Sequence, residues 1–245
     1  MTGDVLVVDL GSTRVAWRGP RGDGSAAHEG DPGAVLARAF GGGRPASAVV
    51  VGSVADSAAA ESLRRICEGR WGVPVLELVA APESLGVRNG YRNPAQLGID
   101  RWAAIVAARV AHDGAVLVAD CGTAVTVDYV DAAGRHRGGV IGPGIGLMRS
   151  MLGAGTRLRL GATLGAGAGI LGRDTEEAVA IGTAAGVAGL LESTRREVAA
   201  AFGAPDALLI TGGEAQAVRA RLGGNWSHVP GLVLDGLALL AAEVM

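Results

Sequence analysis

Lysine is missing from this chain of 245 residues, and all 22 basic side chains are therefore arginine. A Walker A loop requires a lysine that reaches the β and γ phosphates, and Schiff-base chemistry requires a lysine amine. The sequence thus excludes P-loop nucleotide hydrolysis, pyridoxal phosphate chemistry and aldolase-type catalysis. The arginines are interleaved with acidic residues and the formal net charge is −2, so no nucleic-acid-binding surface is predicted.

Cysteines and long apolar runs are also scarce. Cys67 and Cys121 lie in apolar stretches without a CxxC motif or a histidine at metal-ligand spacing, so we expect neither a disulfide framework nor a zinc site. No stretch approaches the roughly 18 consecutive apolar residues of a membrane span, and the first residues lack the features of a secretory signal. We therefore expect a cytoplasmic protein that does not cross a membrane.

The most informative pattern is an internal repeat. The segment VLVVDLGST, which begins at Val5, returns as VLVADCGTA from Val116 onward. Each copy has the pattern of a buried strand that ends in a glycine turn and leads into a second, antiparallel strand. The repeat predicts an α/β protein of two similar lobes with a cleft between them, which we assign to residues 1–113 and 114–245.

The rest of the chain alternates between patterns of strands and helices. We predict strands over residues 48–54, 75–79, 139–141 and 207–211, and helices over residues 34–40, 58–68, 101–112, 147–152 and 175–202, followed by two closing helices. The longest helix has a clear start, because Asp174 and Glu177 match a capping box, and Gly203 fits its end. This helix contains three glycines, Gly182, Gly186 and Gly189. Each lowers helix stability by up to about 1 kcal/mol relative to alanine, so close packing against another element would explain their presence.

The repeated turn has the chemistry of a phosphate site. A glycine lets main-chain N–H groups approach an anion, and Asp9 and Asp120 would then lie beside the bound phosphates. Because a carboxylate repels a phosphate unless a cation lies between them, the arrangement implies Mg²⁺ or another hard cation that is held partly by water. Thr13, Thr123 and Thr126 could donate hydroxyl hydrogen bonds. A single Asp-x-Gly is typical of an ordinary turn, but two copies at equivalent strand ends favour phosphate binding.

Two of three other glycine-containing segments are ambiguous when each is judged alone. Gly212 and Gly213 follow a predicted strand and suit either an adenosine contact or a simple turn to a helix. Asp100 opens a helix beside Arg101, so it is either a helix N-cap or a base next to a guanidinium that binds a carboxylate substrate. The GAGAG run at residues 165–169 is expected to be a flexible loop, because no strand pattern leads into it.

Together these segments resemble the type III pantothenate kinases, which belong to the actin-like, sugar kinase and Hsp70 ATPase superfold. The resemblance runs from Val5 to about Leu240 and rests on seven motifs in order: DLGST at 9–13, GYRNP at 90–94, GIDR at 98–101, DCGTA at 120–124, GGVIGPG at 138–144, GRDT at 172–175 and TGG at 211–213. It implies two ribonuclease H-like lobes with the active site in the cleft. It also implies ATP-dependent phosphorylation of pantothenate to 4′-phosphopantothenate, the first step of coenzyme A biosynthesis.

The resemblance assigns roles to individual residues. Asp100 corresponds to the proton acceptor, and Asp120 to the aspartate that binds a monovalent cation, K⁺ or NH₄⁺. The implied ATP contacts, with Mg²⁺ as the divalent ion, are Asp9, Leu10, Gly11, Ser12, Thr13, Arg14, Val15, Ala16, Thr123, Gly212 and Gly213. The implied substrate contacts are Tyr91, Gly98, Ile99, Arg101 and Thr175. Members of this family are usually homodimers with substrate near the subunit interface, and the glycine-containing long helix is a candidate for that interface.

Two residues depart from the family pattern. Ser12 stands where asparagine is common, which shortens a side chain of the first turn, and Ile99 replaces a frequent alanine or valine, which changes the expected pocket volume. Two other functions remain as alternatives: an accessory transcription regulator, and a sugar or acetate kinase of the same superfold. The complete set of acidic residues and the adjacent arginine favour an enzyme over a regulator. The other kinases are generally longer and have different substrate loops.

Overall fold

The computed structural model describes residues 4–41, 43–158 and 169–245, and these residues form two compact units. The first unit contains the chain up to Ala111 together with Gly231–Met245, and the second contains His112–Pro230. The sequence analysis divided the chain once, between residues 113 and 114. The closing segment differs, because it was expected in the second lobe and packs with the first unit instead.

A five-stranded sheet forms the centre of the first unit. Its strands are β1 (Val5–Leu10), β2 (Arg14–Arg18), β3 (Gly24–Ala27), β4 (Ala48–Ser53) and β5 (Val75–Leu78), in the spatial order β3-β2-β1-β4-β5. The first three strands are antiparallel neighbours, whereas β1, β4 and β5 are parallel. The other elements are α1 (Pro32–Phe40), α2 (Ser57–Arg64) with a π-helical continuation (Arg65–Arg70), the short hairpin strands β6 (Glu83–Ser84) and β7 (Val87–Arg88), a 3₁₀ turn (Pro94–Gln96) and α3 (Ile99–Ala111).

The sheet of the second unit has the same order and strand directions. Its strands are β8 (Val116–Cys121), β9 (Ala124–Val130), β10 (His136–Pro143), β11 (Ala207–Thr211) and β12 (Trp226–His228), in the order β10-β9-β8-β11-β12. Its helices are α4 (Ile145–Gly155), α5 (Thr175–Phe202) and α6 (Ala215–Arg219). Strand β8 therefore holds the place in this sheet that β1 holds in the first, so the prediction of two similar lobes is confirmed.

Alternation along the two central strands explains where each core forms. Successive side chains of a strand point to opposite faces, and one face of β1 carries side chains that are fully buried: Leu6, Val8 and Leu10. They pack with α1 and α2 in one hydrophobic cluster. Strand β8 repeats the pattern with Leu117, Ala119 and Cys121 in a second cluster.

The last helix, α7 (Leu232–Val244), completes the first unit. It packs along α3 and also contacts β1 and β4. At the closest approach, a Cβ atom on Gly236 would lie 1.9 Å from the carbonyl oxygen of Ala103. Only glycine permits this main-chain contact between α3 and α7. The buried residues Leu232, Leu237 and Leu240 cover the same region, which is why the closing segment belongs to the first unit.

The predicted long helix agrees with the structure in both its start and its end. The Asp174 carboxylate accepts a hydrogen bond from the N–H of Glu177 at 2.8 Å, and Gly203 ends the helix with a φ of 92°. The Glu177 carboxylate accepts from the N–H of Arg173, one residue before the expected capping-box partner.

Several short elements were not predicted: β3, the hairpin of β6 and β7, and β12. Helix α3 begins at Ile99, before the predicted start. Of the GAGAG run, residues 165–168 lie outside the described residues. Across the parts of the chain that the structure describes, none of the helices has the length and apolarity to span a bilayer.

Candidate active site

The first glycine turn joins β1 to β2. The Gly11 N–H donates to the carbonyl oxygen of Arg14 at 2.9 Å, which closes a turn whose exposed residues are Ser12 and Thr13. Asp9 is half-buried on β1, directly before the turn. A main-chain loop with a glycine at its entry can present N–H groups to an anion.

The eight predicted ATP contacts of this turn are not equivalent in the structure. The side chains of Leu10 and Val15 are fully buried in the core, so only their main chain could face a nucleotide. Ser12, Thr13 and Arg14 are exposed, and Ala16 is half-buried on β2. Any side-chain contact with phosphate must therefore come from the exposed tip of the turn.

The second glycine turn is one residue shorter. The Gly122 N–H donates to the carbonyl oxygen of Ala124 at 3.1 Å, and Thr123 is the exposed residue between them. The Thr123 carbonyl oxygen accepts from the N–H of Gly144 at 3.0 Å, directly before α4. The strand register shows the difference, because Cys121 faces Val125 across this turn, whereas Leu10 faces Val15 across the first one.

Asp120 and Gly212 lie side by side at the ends of β8 and β11. A Cβ atom on Gly212 would lie 2.4 Å from the Asp120 Oδ1 atom and 2.5 Å from the carbonyl oxygen of Cys121. Gly212 also has a φ of +94°, which strongly favours glycine. The packing at this position therefore requires a residue without a side chain. Gly213 is exposed, and within the described residues its Cβ position has no atom nearer than 4 Å, so it stays available to a nucleotide.

Glu214 holds the second turn in place, a role that the sequence analysis missed. Its carboxylate accepts hydrogen bonds from the N–H groups of Ile145 at 2.8 Å and Gly146 at 2.9 Å, at the start of α4. Its own N–H donates to the Cys121 carbonyl oxygen at 2.9 Å. A carboxylate at a helix N-terminus is favoured by the helix dipole. An acidic residue directly after the TGG motif was the only signal in the sequence.

The start of α3 places Asp100 inside the first helical turn. The Trp102 N–H donates to the carbonyl oxygen of Gly98 at 2.9 Å, so Gly98 occupies the N-cap position that one interpretation gave to Asp100. The Asp100 Oδ1 atom accepts from the N–H of Arg101 at 2.7 Å. A Cβ atom on Gly98 would lie 2.6 Å from that same Oδ1 atom, so the glycine makes room for the carboxylate.

Arg101 and Tyr91, two of the predicted substrate contacts, touch each other in the structure. Arg101 is 6% exposed, and its Nη1 atom donates to the Tyr91 hydroxyl at 2.7 Å. The guanidinium carbon lies 5.5 Å from the centre of the Tyr91 ring, which is within cation–π range. The Tyr91 N–H in turn donates to the Asn89 side chain at 3.0 Å. The guanidinium is thus held in one orientation.

Val54 connects the first turn to the start of α3. Its N–H donates to the Leu10 carbonyl oxygen at 3.1 Å, and its Cγ1 atom would lie 3.6 Å from a Cβ atom on Gly98. Val54 is 40% exposed and was not among the predicted site residues. The first unit therefore brings the first turn close to the segment that carries Asp100.

Two predicted substrate contacts have different surroundings. Ile99 is 4% exposed and packs against Gly52 of β4, so its side chain belongs to the core and does not set a pocket volume. Thr175 is exposed at the start of α5, where it lines an apolar groove of about 770 Å³ between α4 and α5. Other residues of this groove are Met148, Met151, Leu152 and Val179.

Comparison with known proteins identifies the family. The family model described as type III pantothenate kinase matches residues 5–197. The chain belongs to this family. A type III pantothenate kinase from Halorhodospira halophila (strain DSM 244 / SL1) is 39% identical over 95% of each chain. Another from Alkalilimnicola ehrlichii (strain ATCC BAA-1101 / DSM 17681 / MLHE-1) is 39% identical over 97% of this chain and 98% of that relative.

Solved structures with lower identity share the fold of this family member. A proposed Baf family transcriptional activator from Campylobacter jejuni is 18% identical with a TM-score of 0.58, and the match covers 98% of this chain and 100% of that one. An archaeal actin homologue is 11% identical with a TM-score of 0.55, over 99% and 100% of the two chains. At these identities the likeness concerns the fold alone. It confirms the predicted actin-like α/β class and does not favour a regulatory function.

The close approach of Gly212 to Asp120 gives a testable prediction for the second unit. Gly212→Ala should lower the free energy of unfolding by about 2–4 kcal/mol, because the new Cβ atom meets Asp120 and the left-handed backbone is strained. Gly213→Ala is the matched control and should change it by less than about 0.5 kcal/mol. Urea denaturation of the purified variants measures both values. Equal free energies of unfolding in the Gly212→Ala and Gly213→Ala variants would contradict the packing described for Gly212.

Proposed function

We propose that the protein transfers the γ-phosphoryl group of ATP to the primary hydroxyl of pantothenate, forming 4′-phosphopantothenate at the first step of coenzyme A biosynthesis. The observation that carries this proposal is the arrangement at the start of α3, where the Asp100 carboxylate stands directly before a buried Arg101. A base beside a carboxylate-binding guanidinium matches a substrate that has a hydroxyl and a carboxylate. Family membership supplies the same expectation independently.

We assign the phosphates of ATP to the glycine turns of the two units. Main-chain N–H groups at each turn would bind phosphate oxygens, with Thr13 and Thr123 as exposed hydroxyl donors. Gly213 is open to the adenosine because the described residues leave space above it. Such preorganised donors stabilise the charge of the transferred group without reorganisation during the reaction.

Asp9 and Asp120 would hold the cations that ATP chemistry requires. Hard cations prefer carboxylate, hydroxyl and water oxygens, and the residues at both turns supply oxygens of this kind. No group of three or more histidine, cysteine, aspartate or glutamate side chains among the described residues could hold a metal alone. That fits Mg²⁺, which usually has one or two protein carboxylates and completes its shell with water and phosphate. We assign the monovalent cation, K⁺ or NH₄⁺, to Asp120.

Asp100 acts as the general base in this proposal. Phosphoryl transfer has a loose transition state, so the base mainly orients the pantothenate hydroxyl and accepts its proton late. Arg101 and Tyr91 bind the pantothenate carboxylate and fix the hydroxyl relative to Asp100. Because the guanidinium is already ordered by the Tyr91 hydroxyl, little side-chain entropy is lost when substrate binds.

Removing the base tests this assignment. Asp100→Asn should lower kcat about 10²–10⁴-fold with nearly unchanged ATP affinity, because asparagine can still accept the Arg101 N–H but cannot take a proton. Arg101→Ala is the comparison and should first raise the KM for pantothenate. Steady-state kinetics with both substrates measure these effects. A near-normal kcat in Asp100→Asn with a melting temperature several degrees lower would show that Asp100 serves the helix alone.

Cation dependence tests the role of Asp120. Replacement of K⁺ and NH₄⁺ by a large organic cation, at constant Mg²⁺ and ionic strength, should decrease turnover about tenfold or more, since a charge that neutralises phosphate is lost. Asp120→Asn should abolish the response to added K⁺. Turnover that is insensitive to K⁺ in the unaltered protein would remove the monovalent cation from the mechanism.

We propose a homodimer that forms through α5. Five small residues of this helix share one face and are exposed: Ala178, Gly182, Ala185, Gly186 and Gly189. Within the described residues, Gly182 and Gly189 have open space where a Cβ atom would lie. The packing of a single protomer thus does not explain why these two positions are glycine. Close approach of a second copy of the chain would explain it. The adjacent apolar groove that Thr175 lines would extend the contact surface of the dimer.

A larger side chain on this face should separate the protomers. Gly189→Leu should convert a dimer of about twice 24.4 kDa into a monomer, while the higher helix propensity of leucine preserves the protomer. Ala201→Leu, exposed on another side of α5, is the matched control and should remain dimeric. Sedimentation velocity measures both masses. A monomeric unaltered protein would contradict the dimer.

We also propose that the protein works in the cytoplasm, where ATP is available and thiols remain reduced. Cys67 and Cys121 are both free and buried. Burial raises the pKa of each thiol to about 12, so both remain protonated at neutral pH and neither serves as a nucleophile.

A further inference from the structure

A buried histidine lies behind the first glycine turn. His28 follows β3, is 5% exposed and uses both ring nitrogens. Its Nε2 atom lies 2.9 Å from the Gly11 carbonyl oxygen, and the Gly30 N–H donates to its Nδ1 atom at 3.0 Å. No motif contains His28, and none of the assigned catalytic or binding roles uses it.

The two partners determine which nitrogen carries the proton. A carbonyl oxygen can only accept, so Nε2 must donate to Gly11, and a main-chain N–H can only donate, so Nδ1 must accept from Gly30. The ring is therefore present as the Nε2–H tautomer. Because both partners are main-chain groups of ordered segments, they fix the position of the ring as well as its tautomer.

The main chain of His28 binds the same turn a second time. Its N–H donates to the Thr13 carbonyl oxygen at 3.2 Å. The carbonyl oxygens before and after Ser12 are thus both directed toward His28. In a planar trans peptide the N–H points opposite to the carbonyl of the same unit. With the Gly11 carbonyl directed toward the ring, the Ser12 N–H points away from it.

A tight turn holds His28 in this position. The Asp31 N–H donates to the His28 carbonyl oxygen at 2.7 Å, and Glu29 and Gly30 between them have φ values of 47° and 90°. Two consecutive residues with positive φ are typical of a type I′ turn. Asp31 then caps α1 by accepting from the Ala34 N–H at 2.9 Å. A non-glycine residue in the left-handed region persists only where its surroundings enforce it.

We infer that His28 is a positioning residue for the first phosphate turn: its Nε2–H bond to the Gly11 carbonyl keeps that oxygen away from the nucleotide and directs the Ser12 N–H toward it. Without this bond the peptide between Gly11 and Ser12 is less strongly held in its orientation, because glycine tolerates both orientations of the peptide. A rotated peptide would present an oxygen to the phosphates and repel them. This inference rests on the proposed ATP site but not on pantothenate as the acceptor.

Two substitutions separate the functions of the two ring nitrogens. In His28→Gln the side-chain amide N–H takes the place of Nε2–H and keeps the bond to Gly11. In His28→Asn the amide oxygen takes the place of Nδ1, keeps the bond to Gly30 and does not reach Gly11. We expect the dissociation constant of a non-hydrolysable ATP analogue with Mg²⁺ to rise about tenfold in His28→Asn and less than about threefold in His28→Gln. The KM for pantothenate should stay unchanged in both variants.

Asp31→Ala is the structural control, since it removes the side-chain cap at the start of α1, directly after this turn, keeps the main-chain bond of the turn and does not touch Gly11. It should lower the melting temperature at least as much as His28→Asn and leave analogue affinity unchanged. The inference would be overturned if both His28 variants lost the same affinity for the analogue or if neither lost any. It would also be overturned if Asp31→Ala lowered that affinity. Analogue affinity is measured by calorimetry without pantothenate, so a protein that binds ATP but does not phosphorylate pantothenate would refute only the proposed function. Absence of ATP binding by the unaltered protein would refute both.

Discussion

Alternation of side chains along β1 and β8 determines where the polar groups of both units lie. Each strand buries every second side chain in a hydrophobic cluster, and the aspartate near its end points to the opposite face. A shift of either strand by one residue would place the aspartate among the apolar side chains of that cluster. The same hydrophobic pattern that stabilises each sheet therefore places Asp9 and Asp120 directly before a glycine turn.

The two turns share a design but are supported by different chemistry. Behind the first turn a histidine ring binds the Gly11 carbonyl oxygen, and behind the second the Glu214 carboxylate binds N–H groups at the start of α4. The second turn is one residue shorter and runs directly against Gly144. A Cβ atom on Gly144 would lie 2.1 Å from the Gly122 carbonyl oxygen, so the main chain itself fills the space that a ring fills in the first unit.

Local patterns in the sequence predicted the central strands, the repeat and the full length of α5. These features depend on the residues of one element, as the Asp174 cap and the Gly203 terminus show. Features that depend on contacts between distant segments were not predictable. The apolar pattern of α7 does not indicate which sheet the helix covers, because contacts such as that of Gly236 with Ala103 exist only in the folded chain. Similarly, Ile99 could be read as a pocket residue because its contact with Gly52 depends on the tertiary fold. His28 follows a strand of four residues and carries no motif.

The place of α7 has a consequence for the order in which the chain folds during synthesis. The second unit is continuous from His112 to Pro230, so all of its strands and helices are available once that segment has emerged from the ribosome. The first unit is discontinuous, and α3 lacks the helix that covers it until residues 231–245 have been made. Contacts over so long a sequence separation form slowly, because loop closure must precede them. The segment synthesised first is thus the last to complete its core, because the surface of α3 that α7 covers has no partner helix until then.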